Sequence, residues 1–427
     1  MVPSTYALAL GESLGLPWCI APDADTSQAA HLWADSGAMW LSGDEDGAPR
    51  ACAAPLATCA KGAWLALAAL ADNSLDSHFS AHRLLGERAA IAGYTRRGRV
   101  SPGGACRLLS AAGGWLALNL PRPEDEALLP AWLQQRGADV AQLDELVAAR
   151  PVGELIDRAR LLGLAAAPVA PPGLGRTWYR AQRCGMGRVK LDAAPLVIDM
   201  SSLWAGPLCG SLLSDCGARV IKVESAHRHD GARSGPTEFF DLLNAGKESV
   251  CLDFNSPQDI EHLRRLIARA DIVLESARPR ALEQLGLHAA DLVADNPGLV
   301  WLSITGYGRS DPQRNWVAYG DDAGVAAGLS WLMGGAKDNP VFCGDAIADP
   351  LAGLHGALLA WAAWRQGGSV ILDMALKDVV AYCIGAGTSG VTVSDSVVPA
   401  KPVARQARSA AVELGVDTNR VLQELTR

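Results

Sequence analysis

Two hydrophobic rhythms alternate along the second half of the chain. From Pro195 to Gly308 short β-branched runs take turns with amphipathic ones, the pattern of parallel strands joined by crossover helices. "PLVIDMSS", "RVIKVES", "SVCLDF", "IVLES" and "LVWLSITGYG" read as strands, and "GPLCGSLLSDCGA", "NSPQDIEHLRRLIARAD" and "RALEQLG" as the helices between them. The middle helix has its own start signal, with Ser256 as cap, Pro257 in the first turn and Asp259 three residues after the cap. The pattern predicts a doubly wound, Rossmann-like α/β unit with a parallel sheet.

Upstream the rhythm changes. From about Arg83 to Ala166 a hairpin-like piece, "CRLLSAAGGWLALNL", is mixed with helical ones, "EALLPAWLQQRG" and "VGELIDRARLLG", which predicts a second, smaller α/β domain. Ala167 to Pro195 is rich in Pro and Gly and lacks periodicity, so it reads as a linker or extended wrap. The chain of 427 residues exceeds what one compact core usually holds. The expected division is 1–75, 76–166 (small domain), 167–195 (linker), 196–375 (Rossmann-like domain) and 376–427 (a returning C-terminal segment).

The first of these segments is a partial repeat. An ungapped shift of 291 residues sets Asp35–Leu70 against Ala326–Trp361, and 11 of the 36 pairs are identical. Trp40/Trp331, Pro49/Pro340, Cys52/Cys343 and three glycine pairs are the matches that abundant Ala and Leu cannot supply by chance. Within the repeat, "GDAIADPLAG" carries Asp345 and Asp349, where the N-terminal copy has Ala54 and Thr58. Asp349, followed by Pro350 and an apolar run, reads first as a helix N-cap, a role that Thr58 could also fill. Chemistry is then one reason for a carboxylate in one copy alone: at a helix start it is kept ionised and can attack a carbonyl beside backbone donors. Asp345, among Gly344 and Ala346, reads as a solvated or turn acid.

Charge narrows the partners. With 38 Lys+Arg against 46 Asp+Glu the net charge is −8, which argues against bulk attraction to nucleic acid or an anionic membrane, so a polyanion would need a local basic site. Ten cysteines are scattered without a Cys-x-x-Cys pair or metal-ligand spacing, so neither zinc nor a disulfide framework is indicated, and reduced thiols in a cytoplasmic protein fit best. The start, "MVPSTYALALGESLG", lacks the flank of a secretory signal, and no run reaches the ~18 apolar residues of a membrane span.

"LVIDMSSLWAGPLCGSLLSDCGARVIKVES", "LLNAGKESVCLDFNSP", "ADIVLESARPRALEQLGL", "NPGLVWLSITGYG" and "AIADPLAGLHGAL" follow one another in an order and spacing that resembles the class III CoA-transferases, the family of formyl-CoA transferase and carnitine CoA-transferase. The resemblance covers about Leu196 to Ala375, with a weaker likeness of the upstream stretch to the family's small domain and of "LGVDTNRVLQELTR" to its C-terminal ending. The order is unusual, because small-domain-like sequence precedes the Rossmann-like unit, which suggests a permutation or a fused pair with its first half trimmed.

The resemblance implies the class III CoA-transferase fold and a homodimer. It also implies transfer of CoA from an acyl-CoA to a carboxylic acid through an aspartyl-CoA thioester, with Asp349 as the carrier and no tightly bound cofactor or metal. It assigns CoA contacts to Leu203, Trp204 and Ala205 after the first strand, to Lys247 in "NAGKES", and to Ser276, Arg278, Ala281 and Gln284 in "SARPRALEQ". Arg278 and Arg280 also qualify on their own terms, between a strand and a helix at the carboxyl edge of a parallel sheet, where anions bind.

Some residues depart from the family pattern: its usual Asn-Phe pair is Ser276–Ala277 here, an arginine used for the nucleotide is Gln284, and no glycine-rich loop over the carboxylate is evident. Racemases of the same fold pair the aspartate with an upstream histidine, where this chain has Tyr319. His227, His229 and His355 read as surface or packing residues. A non-catalytic acyl-CoA-binding protein, or an acyl-CoA racemase or isomerase, are the alternative readings.

Overall fold

The computed structural model describes the chain apart from residues 17–24, 72–74, 77, 174, 176, 190–193, 335–338, 388–396 and 426–427. Parts of the expected linker and of the C-terminal segment therefore lie outside the described residues.

The N-terminal segment is helical: α1 (Pro3–Ser13), α2 (Ala29–Asp35), α3 (Leu56–Leu70) and α4 (Glu87–Ala92). The small domain follows. Its hairpin of β1 (Cys106–Ala111) and β2 (Gly114–Asn119) turns on Gly113 and Gly114, both at positive φ, and α5 (Pro123–Glu126), α6 (Leu129–Trp132), α7 (Leu143–Ala148) and α8 (Val152–Leu162) lead to β3 (Ala165–Pro168), antiparallel to β2. Trp132 anchors this domain's own core, its indole donating to the Leu155 carbonyl at 2.8 Å.

The second half alternates strand and helix as the pattern predicts: β4 (Arg180–Arg183), β5 (Leu196–Met200), α9 (Ala205–Asp215), β6 (Arg219–Ser225), α10 (Thr237–Asn244), β7 (Glu248–Leu252), α11 (Pro257–Arg269), β8 (Ile272–Glu275), α12 (Pro279–Glu283), α13 (Ala289–Asp295) and β9 (Val300–Thr305). Then come α14 (Gly320–Ala326), α15 (Leu329–Leu332), α16 (Ala348–Arg365), β10 (Val370–Ala375), α17 (Leu376–Gly385) and α18 (Thr418–Glu424). The sheet has seven strands in the order β4-β10-β9-β8-β5-β6-β7, parallel except for β4. Its parallel strands are nearly continuous apolar runs because both faces are covered. Ser256 caps α11 as its sequence signal says, accepting from the Asp259 N–H. The stretch expected as a structureless linker holds two strands, β3 at its start and β4 at the edge of the large sheet. Arg180–Arg183 is exposed and polar, held by backbone pairing with β10 and by the Arg180 guanidinium reaching Asp378 at 3.5 Å.

The repeat is structural. Helices α2 and α14 are separated by 291 residues at both ends. Helix α3 packs on α16, and residues paired by the repeat meet across that contact: Cys52 and Cys343 lie within hydrogen-bonding reach, and the Trp361 indole donates to the Leu70 carbonyl at 3.3 Å. Position i touching its own mate is the mark of a pseudo-two-fold axis. Each half also has a small-residue contact of the same kind, α1 running against Gly62 of α3 and α9 against Gly353 of α16. One apolar core spans all four helices.

Two extended straps complete the arrangement. A side chain at Gly37 would lie 2.6 Å from Pro402 Cα, and one at its mate Gly328 would lie 2.6 Å from Pro172 Cα. Each strap leaves one half and crosses the other.

Candidate functional site

Asp349 lies in the first turn of α16, but it is not the cap: Ile347 occupies that position, and the Asp349 N–H bonds to the Ala346 carbonyl at 2.9 Å. Its side chain instead crosses to α14, where the Gly320 backbone N–H donates to the carboxylate. A Cβ at residue 320 would collide with Asp349 Oδ2, so glycine is required there. Thr58 is not a cap either, since Pro55 precedes α3 and the buried Thr58 Oγ1 has no hydrogen-bond partner.

Asp345 is not solvated. It is fully buried and gripped by Arg88 of α4, whose Nε and Nη2 reach Oδ2 and Oδ1 at 2.8 and 2.6 Å. The Arg88 guanidinium also lies 5.2 Å from the ring centre of Trp204. Burial opposes a charged guanidinium, yet Asp345, Asp321 and Asp349 together hold the Arg88 pKa above its ordinary value. Asp321 of α14 accepts from the Ala346 N–H at 2.8 Å, and Ser101 bonds to it as well. The next residue, Asp322, accepts from Asn119 of the small domain at 2.8 Å and from the Tyr319 N–H at 2.9 Å. Its second oxygen is buried without a partner.

The result is an acid-rich pocket balanced by the Arg88 cation. Burial pushes Asp349 up to about 7, with Arg88 opposing and Asp321 and Asp345 adding to the shift. Burial likewise raises Asp321 to about 6 and Asp322 to about 7. Asp349 keeps partial access to solvent, whereas Asp322 and Asp345 do not. Residues Ser101–Gly104, "SPGG", lie against this cluster, with Gly103 beside Arg88 and Asp345. A glycine-bearing loop is thus present over the acids, in a stretch too short and too early in the chain to be recognised from the sequence.

The other site residues flank the same place. After β5 the chain passes through Leu203, which is exposed at φ 71, into buried Trp204 and Ala205. This loop is held from beneath. Asp199 accepts from the Ser201 N–H at 3.0 Å, Asp230 from the Leu203 N–H at 2.8 Å, and Lys222 bonds to Asp230 and the Ser201 carbonyl at 2.8 and 3.0 Å. Lys247, expected among the CoA contacts, belongs to this support. It is buried, and its ammonium is committed to Asp199, the Pro207 carbonyl and Asn244 at 2.8, 2.8 and 3.1 Å. Lys247 and Lys222 keep Asp199 ionised against the pull of burial. Ser276 ties the loop after β8 to this one, its Oγ accepting from the Ser202 N–H at 3.0 Å.

Arg278 is half-buried, while Arg280 and Ala281 on α12 and Gln284 just after it are exposed. Arg278 and Arg280 line a hollow of about 570 Å³ together with Arg228, Asn315 and the small domain's Arg122 and Arg160. Burial first, then repulsion from Arg280, Arg122 and Arg228, holds the Arg278 pKa below its ordinary value. Tyr319 joins hollow to acid pocket. Its phenol interacts with Arg122 and Arg228, and the next residue is the Gly320 that faces Asp349. Arg122, Arg160, Arg228 and Arg88 were not legible as site residues, because each comes from a segment distant in sequence. The histidines take no part here: His227 forms an exposed pair with Asp253, His229 is exposed, and buried His355 bonds to Tyr6 at 2.8 Å.

Residues 195–409 match the model of CoA-transferase family III. The chain belongs to this family. It is similar to succinyl-CoA–D-citramalate CoA-transferase of Chloroflexus aurantiacus (34% identity, covering 40% of this chain and 44% of that protein) and to the β subunit of the same organism's succinyl-CoA–L-malate CoA-transferase (34%, 50% and 53%). It is also similar to human succinyl-CoA:glutarate CoA-transferase (28%, 48% and 50%). Among solved structures, a hypothetical protein of Mycobacterium tuberculosis is 32% identical with a TM-score of 0.42, covering 46% of this chain and 57% of that one. The chain spans about half the length of the curated relatives it matches. Among the described residues no helix is long and apolar enough to cross a membrane.

Proposed function

We propose that this family III member is a CoA-transferase that moves CoA from an acyl-CoA to a carboxylic acid, with Asp349 as the covalent carrier. One observation carries the reading: a partly accessible carboxylate meets a backbone N–H donor next to a hollow lined with arginines. The ionised Asp349 attacks the thioester carbonyl, forming an anhydride and releasing the CoA thiolate. The thiolate then attacks the Asp349 carbonyl, giving the aspartyl-CoA thioester and freeing the donor's acid. An incoming carboxylate reverses these steps and leaves as the new acyl-CoA. The Gly320 N–H is placed to stabilise negative charge on the Asp349 oxygen in each step. No cofactor or metal enters these steps.

CoA lies, in this reading, with its phosphates at Arg278, Arg280 and Arg228, whose mutual repulsion an anion relieves. Its thiol arm runs past Tyr319 and Leu203 toward Asp349. Ala281 and Gln284 line the outer edge, and Lys247 acts from below by fixing the loop. The sheet domain and the small domain that flank Asp349 come from one chain, so this activity needs no second copy, whether or not the chain pairs as its resemblance implies. Proton abstraction in the manner of a racemase lacks a partner, since the groups acting on Asp349 are Arg88, Asp321 and Asp345.

Succinyl-CoA, the donor named for the relatives, is the first to test. Incubation followed by hydroxylamine and peptide mapping is expected to place the modification on Asp349. Tight binding of CoA with no adduct on any donor would replace this reading with that of a non-catalytic acyl-CoA binder.

A further inference from the structure

The charges of the acid pocket are divided unequally between the two halves. Asp321, Asp345 and Asp349 all belong to the C-terminal copy, and the same offset sets Ala30, Ala54 and Thr58 at their places in the N-terminal copy. The balancing cation comes from the opposite half. Arg88 sits on α4, and the 291-residue offset puts Val379, buried in α17, at its place in the C-terminal copy. Neither half alone holds both signs of charge.

The seating of Arg88 is specific. Asp345 takes two of its N–H groups in a fork that lysine cannot reproduce, and Trp204 and Tyr94 lie 5.2 and 6.0 Å from the guanidinium carbon. A fully buried Asp345 is costly unless paired. Its pairing therefore secures Arg88 beside α16 while leaving Nη1 without a bond to Asp345.

We propose that Arg88 is a positioning residue for the Asp349 site: delivered across the pseudo-two-fold axis by the N-terminal half and gripped by Asp345, it is the counter-charge that keeps Asp349 in the form that attacks. The inference rests on the reading of Asp349 as the carrier, and it assigns the N-terminal half a part in the chemistry beyond scaffold. Among the described residues, the charged groups that act most strongly on Asp349 are Arg88 from α4, Asp321 from α14 and Asp345 from the turn before α16. Of these, Arg88 has the sign that favours the carboxylate.

The test follows the carboxyl carbon of Asp349 by 13C NMR against pH in the full chain, the signal being assigned by its loss in Asp349→Asn. Arg88→Gln is expected to raise the titration midpoint by at least one pH unit, a tenfold change in the ionisation constant, and Arg88→Lys, which keeps the charge but not the fork, to restore part of it. The acid limb of adduct formation should move by the same amount. An unchanged midpoint in Arg88→Gln overturns the proposal. Should that variant fail to fold, the double variant Arg88→Gln/Asp345→Asn removes both charges and leaves none unpaired. Its midpoint must still rise, because Arg88 acts on Asp349 more strongly than Asp345 does. If Asp349 takes no adduct from acyl-CoA and yet its midpoint moves, the transfer reading falls and the positioning role stands. If the adduct forms and the midpoint does not move, the reverse holds.

Discussion

Helices α2 and α3 and helices α14 and α16 share one scaffold, with mates Cys52 and Cys343 in contact and the same strap crossing at Gly37 and Gly328. Most paired side chains differ, and the differences around Asp349 are the telling ones. In the C-terminal pair Gly320 opens room for the Asp349 carboxylate, and Asp321 and Asp345 crowd it. In the N-terminal pair the matching residues are Ala29, Thr58, Ala30 and Ala54, and the Thr58 hydroxyl is sealed without a partner. One pair maintains a costly cluster of raised carboxyls while the other has become packing. Stability alone would favour the second arrangement in both places, which fits the chemistry proposed for the first.

Substitution at the two equivalent positions should break this contrast most sharply. Asp349→Ala is expected to lower transfer by ~1,000-fold or more, as loss of a covalent carrier does. Thr58→Val, nearly isosteric, should leave transfer unchanged and add ~1 kcal/mol of stability by removing an unsatisfied buried hydroxyl. Steady-state rates and urea denaturation measure the two effects, and any loss of activity in Thr58→Val would end the division into site and scaffold.

A smaller effect is expected at the helix that faces these residues. Gly320→Ala pushes a methyl group into Asp349 Oδ2 and should cost ~100-fold in adduct formation while the chain stays folded. Ala29→Gly, at the mate, should cost no more than ~1 kcal/mol of stability and no activity. Equal rates in the two variants would show that Asp349 does not need its place against α14.

The smallest expected effect is on stability as a function of pH. A carboxyl raised to about 7 keeps its proton in the folded chain, while the unfolded one ionises near ~4. The folded protein therefore binds more protons between those values, and stability falls as pH rises through that window. Asp349→Asn escapes this loss. It should gain ~1–3 kcal/mol over the parent at pH 8 and clearly less at pH 5, as read by urea denaturation. Equal gains at both values would mean that Asp349 titrates as an ordinary surface acid.

The parallel strands from β5 to β9 and the helices α9, α11 and α12 could be read from residue pattern because each depends on local periodicity and caps, as Ser256 shows, while α10 and α13 were not read. Asp349, the proposed carrier, was singled out by its motif and its uncharged twin. What the sequence did not disclose depends on distance. Arg88 and Asp345 are 257 residues apart, and no local pattern tells that an acid between glycine and alanine is buried against an arginine from the other half. Lys247 illustrates the same limit, since a motif marks the residue without telling whether its ammonium faces the ligand or holds Asp199. β4 was hidden because an edge strand held by backbone pairing needs no apolar side chains.

The straps at Gly37 and Gly328 have a consequence for how the molecule comes apart. Each is laid over the half it does not belong to, and Arg405, just beyond Pro402, clasps Glu87 of α4 with its Nε and Nη2 at 2.6 and 3.0 Å. The halves cannot swing open on a hinge like two separate lobes. They are buckled to each other at both sides, and the buckle at Glu87 fastens next to Arg88. Separating the halves therefore means peeling a strap first, an added step that bears on how long the fold lasts as well as on its equilibrium stability.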